Sequence, residues 1–216
     1  MRGVQFGEYH TADDWNLILN AKKIDTPEPK VIKVKVDGRD GDLNLSRALT
    51  GTMKFENREA SFTFIVTEGT QTEREALISE ITNLIHGNEL QIIEPDDLDH
   101  YLIGECSVDD VHNDRAYGSF TINADCEPYR YAIQEVERLL TLNSTEVEIL
   151  LNNTGRKTLT PTLVVSDKAN ISFGTSKVAL SRGTYKLTDL TLSPGVTPVK
   201  ISGSGSLTIS YREAVL

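Results

Sequence analysis

The chain has 216 residues, 38% of them hydrophobic, and a net charge of −10, enough length for one large domain or two small ones with real cores. No apolar run is long enough to cross a membrane as a helix, and the opening MRGVQFGEYH lacks the apolar segment of a signal peptide, so synthesis and folding in a cytosol are expected. The charge is uneven, with 13 Lys+Arg against 26 Asp+Glu up to Glu135 and 9 against 6 from Val136 onward, which suggests two domains with different duties and argues against nucleic-acid binding by the acidic half.

The first clear element is Val31-Ile32-Lys33-Val34-Lys35-Val36, whose alternation of apolar and basic residues predicts a half-exposed strand. DGRDGDL (37–43) follows. It has neither the glycine spacing and following helix of a phosphate cradle nor the distant carboxylate of a calcium loop. Gly38 and Gly41 suit turns of positive φ, and the charges keep a protruding tip solvated. Thr52–Glu56 and Ala60–Val66 read as strands, with Asn57-Arg58-Glu59 as a turn between them. One helix stands out. Thr72 and Glu75 have capping-box spacing, Leu77, Ile81, Leu84 and Ile85 form one apolar stripe, and Gly87 marks its end. Gln91–Ile93, Tyr101–Gly104 and Ser119–Ile122 continue as strands.

Residues 129–142, YRYAIQEVERLLTL, fit a helical stripe or a strand end; an extended junction is the preferred reading. Beyond it, glycine, serine and threonine punctuate short apolar runs. Glu146–Leu151, Thr162–Ser166, Ala169–Phe173, Lys177–Leu180, Gly183–Leu187, Val199–Ile201 and Ser206–Tyr211 have the spacing of a small all-β sandwich. The division is therefore placed at 1–138 and 139–216, both mainly β, with one α-helix flanking the first.

No catalytic constellation rises above background. The four histidines are scattered, and no CxxC appears. A hairpin centred near Asn113–Asp114 would set Cys106 opposite position 121 and Cys126 opposite position 101, too far apart for a disulfide, so both are expected reduced. Asp96-Asp97-Leu98-Asp99-His100 lacks calcium-loop spacing and reads as a solvated acidic loop. No enzyme activity, metal or cofactor is expected. Glycan binding by the second half would draw on Phe173, Tyr185 and Tyr211, which serve equally as core residues.

The order of segments carries a resemblance. FGEYHTADDWNLIL (6–19), the linker DTPEPK (25–30), the strand VIKVKV, the loop DGRDGDLNLSRALTG (37–51), the strand end SFTF (61–64), the capped helix and Cys126 with PYRY (128–131) follow one another. NNTGRKTLTP (152–161) and GSGSLTISYREAVL (203–216) follow in the second half. Over essentially its full length the chain resembles the distal tail proteins of siphophages and prophages of Gram-positive bacteria. The resemblance implies a tail-tube-like N-terminal β-barrel or sandwich with a flanking helix, and a galectin-like C-terminal sandwich. It implies a hexameric ring at the tail tip, in the virion, joining the tail tube to the tail-associated hub or lysin protein and to receptor-binding proteins, with DNA passing through the lumen unbound. Val31, Lys33, Lys35, Gly38, Arg39, Asp40, Gly41 and Leu43 are the assembly-interface candidates, and Pro128, Tyr129, Arg130 and Tyr131 the domain junction. A host-glycan adhesin, a tube-forming subunit and a hydrolase built on the acidic clusters are the rival readings.

Overall fold

A computed structural model describes residues 3–48 and 51–216. The chain forms two compact units, Met1–Arg130 and Tyr131–Leu216. The first contains β1 (Gln5–Phe6), β2 (Tyr9–His10), β3 (Ile18–Ile24), β4 (Lys33–Val34), β5 (Leu43–Asn44), β6 (Arg58–Val66), α1 (Gln71–Ile85), β7 (Glu89–Glu94), β8 (Asp97–Asn113) and β9 (Gly118–Cys126). β10 (Arg130–Ala132) carries the chain over the boundary. β11 (Val136–Leu142), β12 (Val147–Asn153), β13 (Thr162–Phe173), β14 (Ser176–Lys186), β15 (Gly195–Tyr211) and β16 (Ala214–Val215) follow. Both units are mainly β, as expected from the sequence, and α1 is the only helix among the described residues.

In the first unit the strands run β2-β1-β7-β8-β9-β6-β3. The path ends on β2 and β3 and does not close into a barrel among the described residues. Strict alternation builds its core. Along β6, Arg58, Ala60, Phe62, Phe64 and Val66 are buried, and the residues between them are exposed or half-buried. The buried set packs with Phe6, Phe120, Ile122 and the Ile78, Ile81 and Ile85 stripe of α1. The helix is capped two residues earlier than its sequence suggests. Thr70, not Thr72, is the N-cap, its hydroxyl accepting from Glu73 N–H while the Glu73 carboxylate accepts from Thr70 N–H. That exchange holds the Glu73 carboxyl below its usual range. Gly87 takes φ +77° just past the C-cap His86.

Buried Arg74 ties α1 to the β8–β9 turn, donating to Asn113 Oδ1 and to the carbonyls of Gly69 and Asp114. The β8–β9 register is Cys106↔Ala124 and Gly104↔Cys126. The turn lies at 114–117, later than expected, and a bulge between Asp109 and His112 absorbs residues in β8. The two cysteines are thus diagonal neighbours on the buried face rather than remote. Both are free, and burial pushes both thiols up to about 12.

In the second unit the order is β11-β15-β13-β14, with β12 on β15 beside the start of that strand. β15 pairs with β12 over Gly195–Ile201 and with β11 over Gly205–Tyr211, bending at the glycines between. Gly203 has no room for a side chain, because a Cβ there would lie 2.1 Å from the Lys168 carbonyl oxygen. Val199 and Ile201 before the bend share one core with Leu207 and Ile209 after it, and with Leu151, Leu163 and Ile171. Runs that read as separate short strands are therefore continuous. Residues 162–166 and 169–173 are one strand with a bulge between Val165 and Lys168, not strand–turn–strand. Residues 129–142 contain no helix. Val136–Leu142 is strand throughout, paired with β15.

Candidate assembly surfaces

The β3–β6 pair does not end where the sheet ends. Asp25 N–H donates to Glu59 O at 2.9 Å, Glu56 N–H to Glu28 O at 2.8 Å, and Lys30 N–H to Lys54 O at 2.8 Å. Farther out, Leu45 N–H bonds Ile32 O, Ile32 N–H bonds Ser46 Oγ, and β4 pairs with β5 through Lys33↔Asn44 and Val34↔Leu43. The result is a two-stranded arm continuing the edge hairpin. VIKVKV is regular strand only at Lys33–Val34, and Thr52–Glu56 contributes one bridge, Pro29↔Phe55, because an arm this thin has no second layer to regularise it.

Among the described residues of the first unit, the apolar side chains of the arm stay largely uncovered. Val31, Ile32, Val34 and Val36 are 42–52% exposed, and Leu43 is half-buried. Lys33, Lys35 and Arg39 make no ion pair among the described residues, while Lys30 meets Glu56 at 3.3 Å. At the tip, which also holds Asp40, Gly38 and Gly41 take φ +80° and +73°, a region that disfavours side chains, with open space around both. An isolated two-stranded ribbon is marginal in water. Four exposed β-branched side chains on one are an incomplete surface.

A second surface lies on the helix-free face of the same sheet. Cross-strand register sets Glu89 opposite Glu105, Glu105 opposite Asp125, and Asp125 opposite Glu59. Four exposed carboxylates thus stand in one row across β7, β8, β9 and β6, and none forms an ion pair among the described residues. Like charges directly opposite destabilise a sheet. The row borders a hollow of about 530 Å³ that also takes in Asp25, Lys23 and His86. His86 Nδ1 accepts from Val108 N–H at 3.1 Å, which requires the neutral ring with its proton on Nε2. Beyond it, Asp109 accepts from Asn123 and Ser107, and these bonds hold its carboxyl below the usual range.

The junction residues have defined partners. The Pro128 carbonyl accepts from the buried Arg58 guanidinium, through Nε at 3.1 Å and through Nη2. Tyr129 meets Phe55 edge to face with centroids 6.4 Å apart. Arg130 lies 3.5 Å from Glu94 and 3.3 Å from Asp97, whose other oxygen is 2.8 Å from His100 Nδ1. Lys22 completes the cluster, 2.5 Å from Glu94 and 2.6 Å from Asp96. Partial burial opposes the Asp97 charge, but His100 and Arg130 outweigh it and hold the carboxyl below its usual range. Burial likewise opposes the Lys22 charge, and the bonds from Asp96 and Glu94 outweigh that and raise it. The stretch that reads as a solvated acidic loop is therefore an ion-paired turn and strand start. In the second unit, Tyr131 lies under the Lys157 ammonium.

The sequence matches no known family, and no curated protein is similar to it in sequence. Among solved structures, the crystal structure of the SPP1 Dit protein (gp 19.1), described as a paradigm of the hub adsorption apparatus in phages infecting Gram-positive bacteria, superposes with a TM-score of 0.73 at 18% identity, over 100% of both chains. The chain has the fold of that distal tail protein along its whole length.

Proposed function

We propose that this protein is a structural hub of a bacteriophage tail tip, without catalysis, and that six copies close into a ring within the virion. The observation that carries this reading is the fold likeness to a hub adsorption protein over the entire chain. In this reading the ring-forming domain is 1–138 and the sandwich is 139–216. The ring joins the tail tube on one side and the tail-associated hub or lysin and receptor-binding proteins on the other, after synthesis in the host cytoplasm.

The surfaces suit these duties. A cyclic interface uses two different patches of each subunit. The arm, Val31 to Leu43, is one, and its exposed aliphatics are covered when it lies on a neighbouring copy. Lys33 and Lys35 discourage indiscriminate pairing along it. The carboxylate row Glu59–Asp125–Glu105–Glu89 lines the lumen, where unpaired negative charge keeps passing DNA from sticking. Its cost to the sheet is then a cost of function. Pro128 to Tyr131 fixes the exit of the chain from the ring-forming domain.

Negative-stain microscopy of the purified protein is the test. Discrete six-fold rings support the reading, and long tubes overturn it in favour of a tube subunit. Gly41→Val is expected to abolish or weaken rings at concentrations where the native chain forms them. Rings unchanged in that variant would remove the arm tip from the interface, and a ring map with a neutral or basic lumen would remove the row from the channel.

A further inference from the structure

The second unit holds a hollow of about 340 Å³ whose chemistry is opposite to that of the carboxylate row. Three cations reach it: Lys157, Lys186 and Arg212. Thr162 stands directly opposite Lys186 on one side and Ser210 on the other, so these side chains share one face of the sheet at its rim. With Thr160, they bring three hydroxyls to the lining, none of which is engaged in a side-chain hydrogen bond among the described residues.

Two of the cations are already fixed. The Lys157 ammonium sits 4.6 Å from the centroid of the Tyr131 ring and is bonded to its hydroxyl. Arg212 donates to the carbonyls of Ala132 and Ile133 and lies 3.1 Å from Glu135, the only carboxylate lining the hollow. Cations held in place before a ligand arrives lose little freedom when it binds. The hollow is also unsuited to a neutral sugar. Tyr131 and Tyr211 are both buried, and their hydroxyls are engaged by Lys157 and by the Asn152 carbonyl, so neither presents an open ring face for stacking a sugar. What is offered is positive charge and O–H donors, the requirement of a tetrahedral oxyanion.

We propose that this hollow binds a phosphate-class oxyanion, either on a small molecule or along a polymer. The inference is independent of the ring and of the arm. Its test is an amide chemical-shift titration of the full chain with inorganic phosphate, glucose 6-phosphate, polyphosphate and glucose, with chloride at matched ionic strength. Saturable shifts at Thr160, Thr162, Lys186 and Ser210 are expected for the three phosphates and not for glucose or chloride. Tighter binding of glucose 6-phosphate assigns a small molecule, and tighter binding of polyphosphate assigns a polymer. Lys186→Glu, at an exposed position, is expected to weaken binding about tenfold. Thr162→Val tests the hydroxyl without changing charge. Absence of saturable shifts, equal shifts with chloride, or affinities unchanged in both variants overturns the proposal.

Discussion

The first unit treats its carboxylates in two opposite ways. At the β7–β8 turn, Glu94, Asp96 and Asp97 each meet a cation, from Lys22 or Arg130. On the helix-free face, Glu59, Asp125, Glu105 and Glu89 stand in register with no cation partner among the described residues. The contrast separates two uses of one side-chain type. The turn cluster closes a loop and holds the chain near the domain exit. Like charges directly opposite are expected to weaken the sheet that carries them, which points to a use for the row outside the fold.

That contrast can be broken from either end. Trp15, the only tryptophan, is buried in the first unit, so its fluorescence follows that unit through thermal unfolding. The largest effect is expected from Lys22→Met, which leaves the nearly buried Glu94 with Arg130 alone. A loss of about 2 kcal/mol is expected, less than for a fully buried pair because the Lys22 side chain is 30% exposed. Asp97→Asn follows, with a loss of about 1 kcal/mol at neutral pH. Its pH dependence has a definite sign. The folded carboxyl titrates below its ordinary 3.8, so its contribution is complete above that value and vanishes as pH falls through the lower, folded value. The native chain and the variant should therefore converge in strong acid, and an offset that persists there would mean packing, not charge, is responsible. The smallest effect has the opposite sign. Glu105→Gln with Asp125→Asn should stabilise the first unit by about 0.5–1 kcal/mol, a gain that shrinks as salt rises. Destabilisation by that pair would show that the row supports the sheet after all.

Much of this was readable in the chain, because the signals were local. The apolar stripe of α1 and its glycine stop are helical-period features, and only the cap slipped, since TQTE and TERE both offer a threonine three residues before a glutamate. The arm was legible as alternation followed by a glycine-rich tip. What failed was continuity and register. Serine and glycine inside β13 and β15 mark a bulge and a bend in long strands, yet in sequence they are indistinguishable from turns. The β8–β9 turn lies later than the sequence suggests, and the Asp109–His112 bulge adds a one-residue shift, which together bring the cysteines close on one face. The carboxylate row was invisible for the same reason. Its four members come from strands whose alignment depends on three separate registers, and no spacing along the chain records them.

The length and position of β15 have a further consequence, for the time course of biosynthesis. Its 17 residues supply the pairing partner for β11, β12 and β13, all of which leave the ribosome earlier. Until Gly195–Tyr211 is outside, β13 can pair only with β14, while β11 and β12 lack the strand they pair with, and their apolar faces wait uncovered. The first unit has its whole sheet path and helix by Cys126, so the nascent chain can mature there while the second unit holds only the β13–β14 hairpin. Chaperone demand during translation should therefore concentrate in the interval between the emergence of β11 and that of β15.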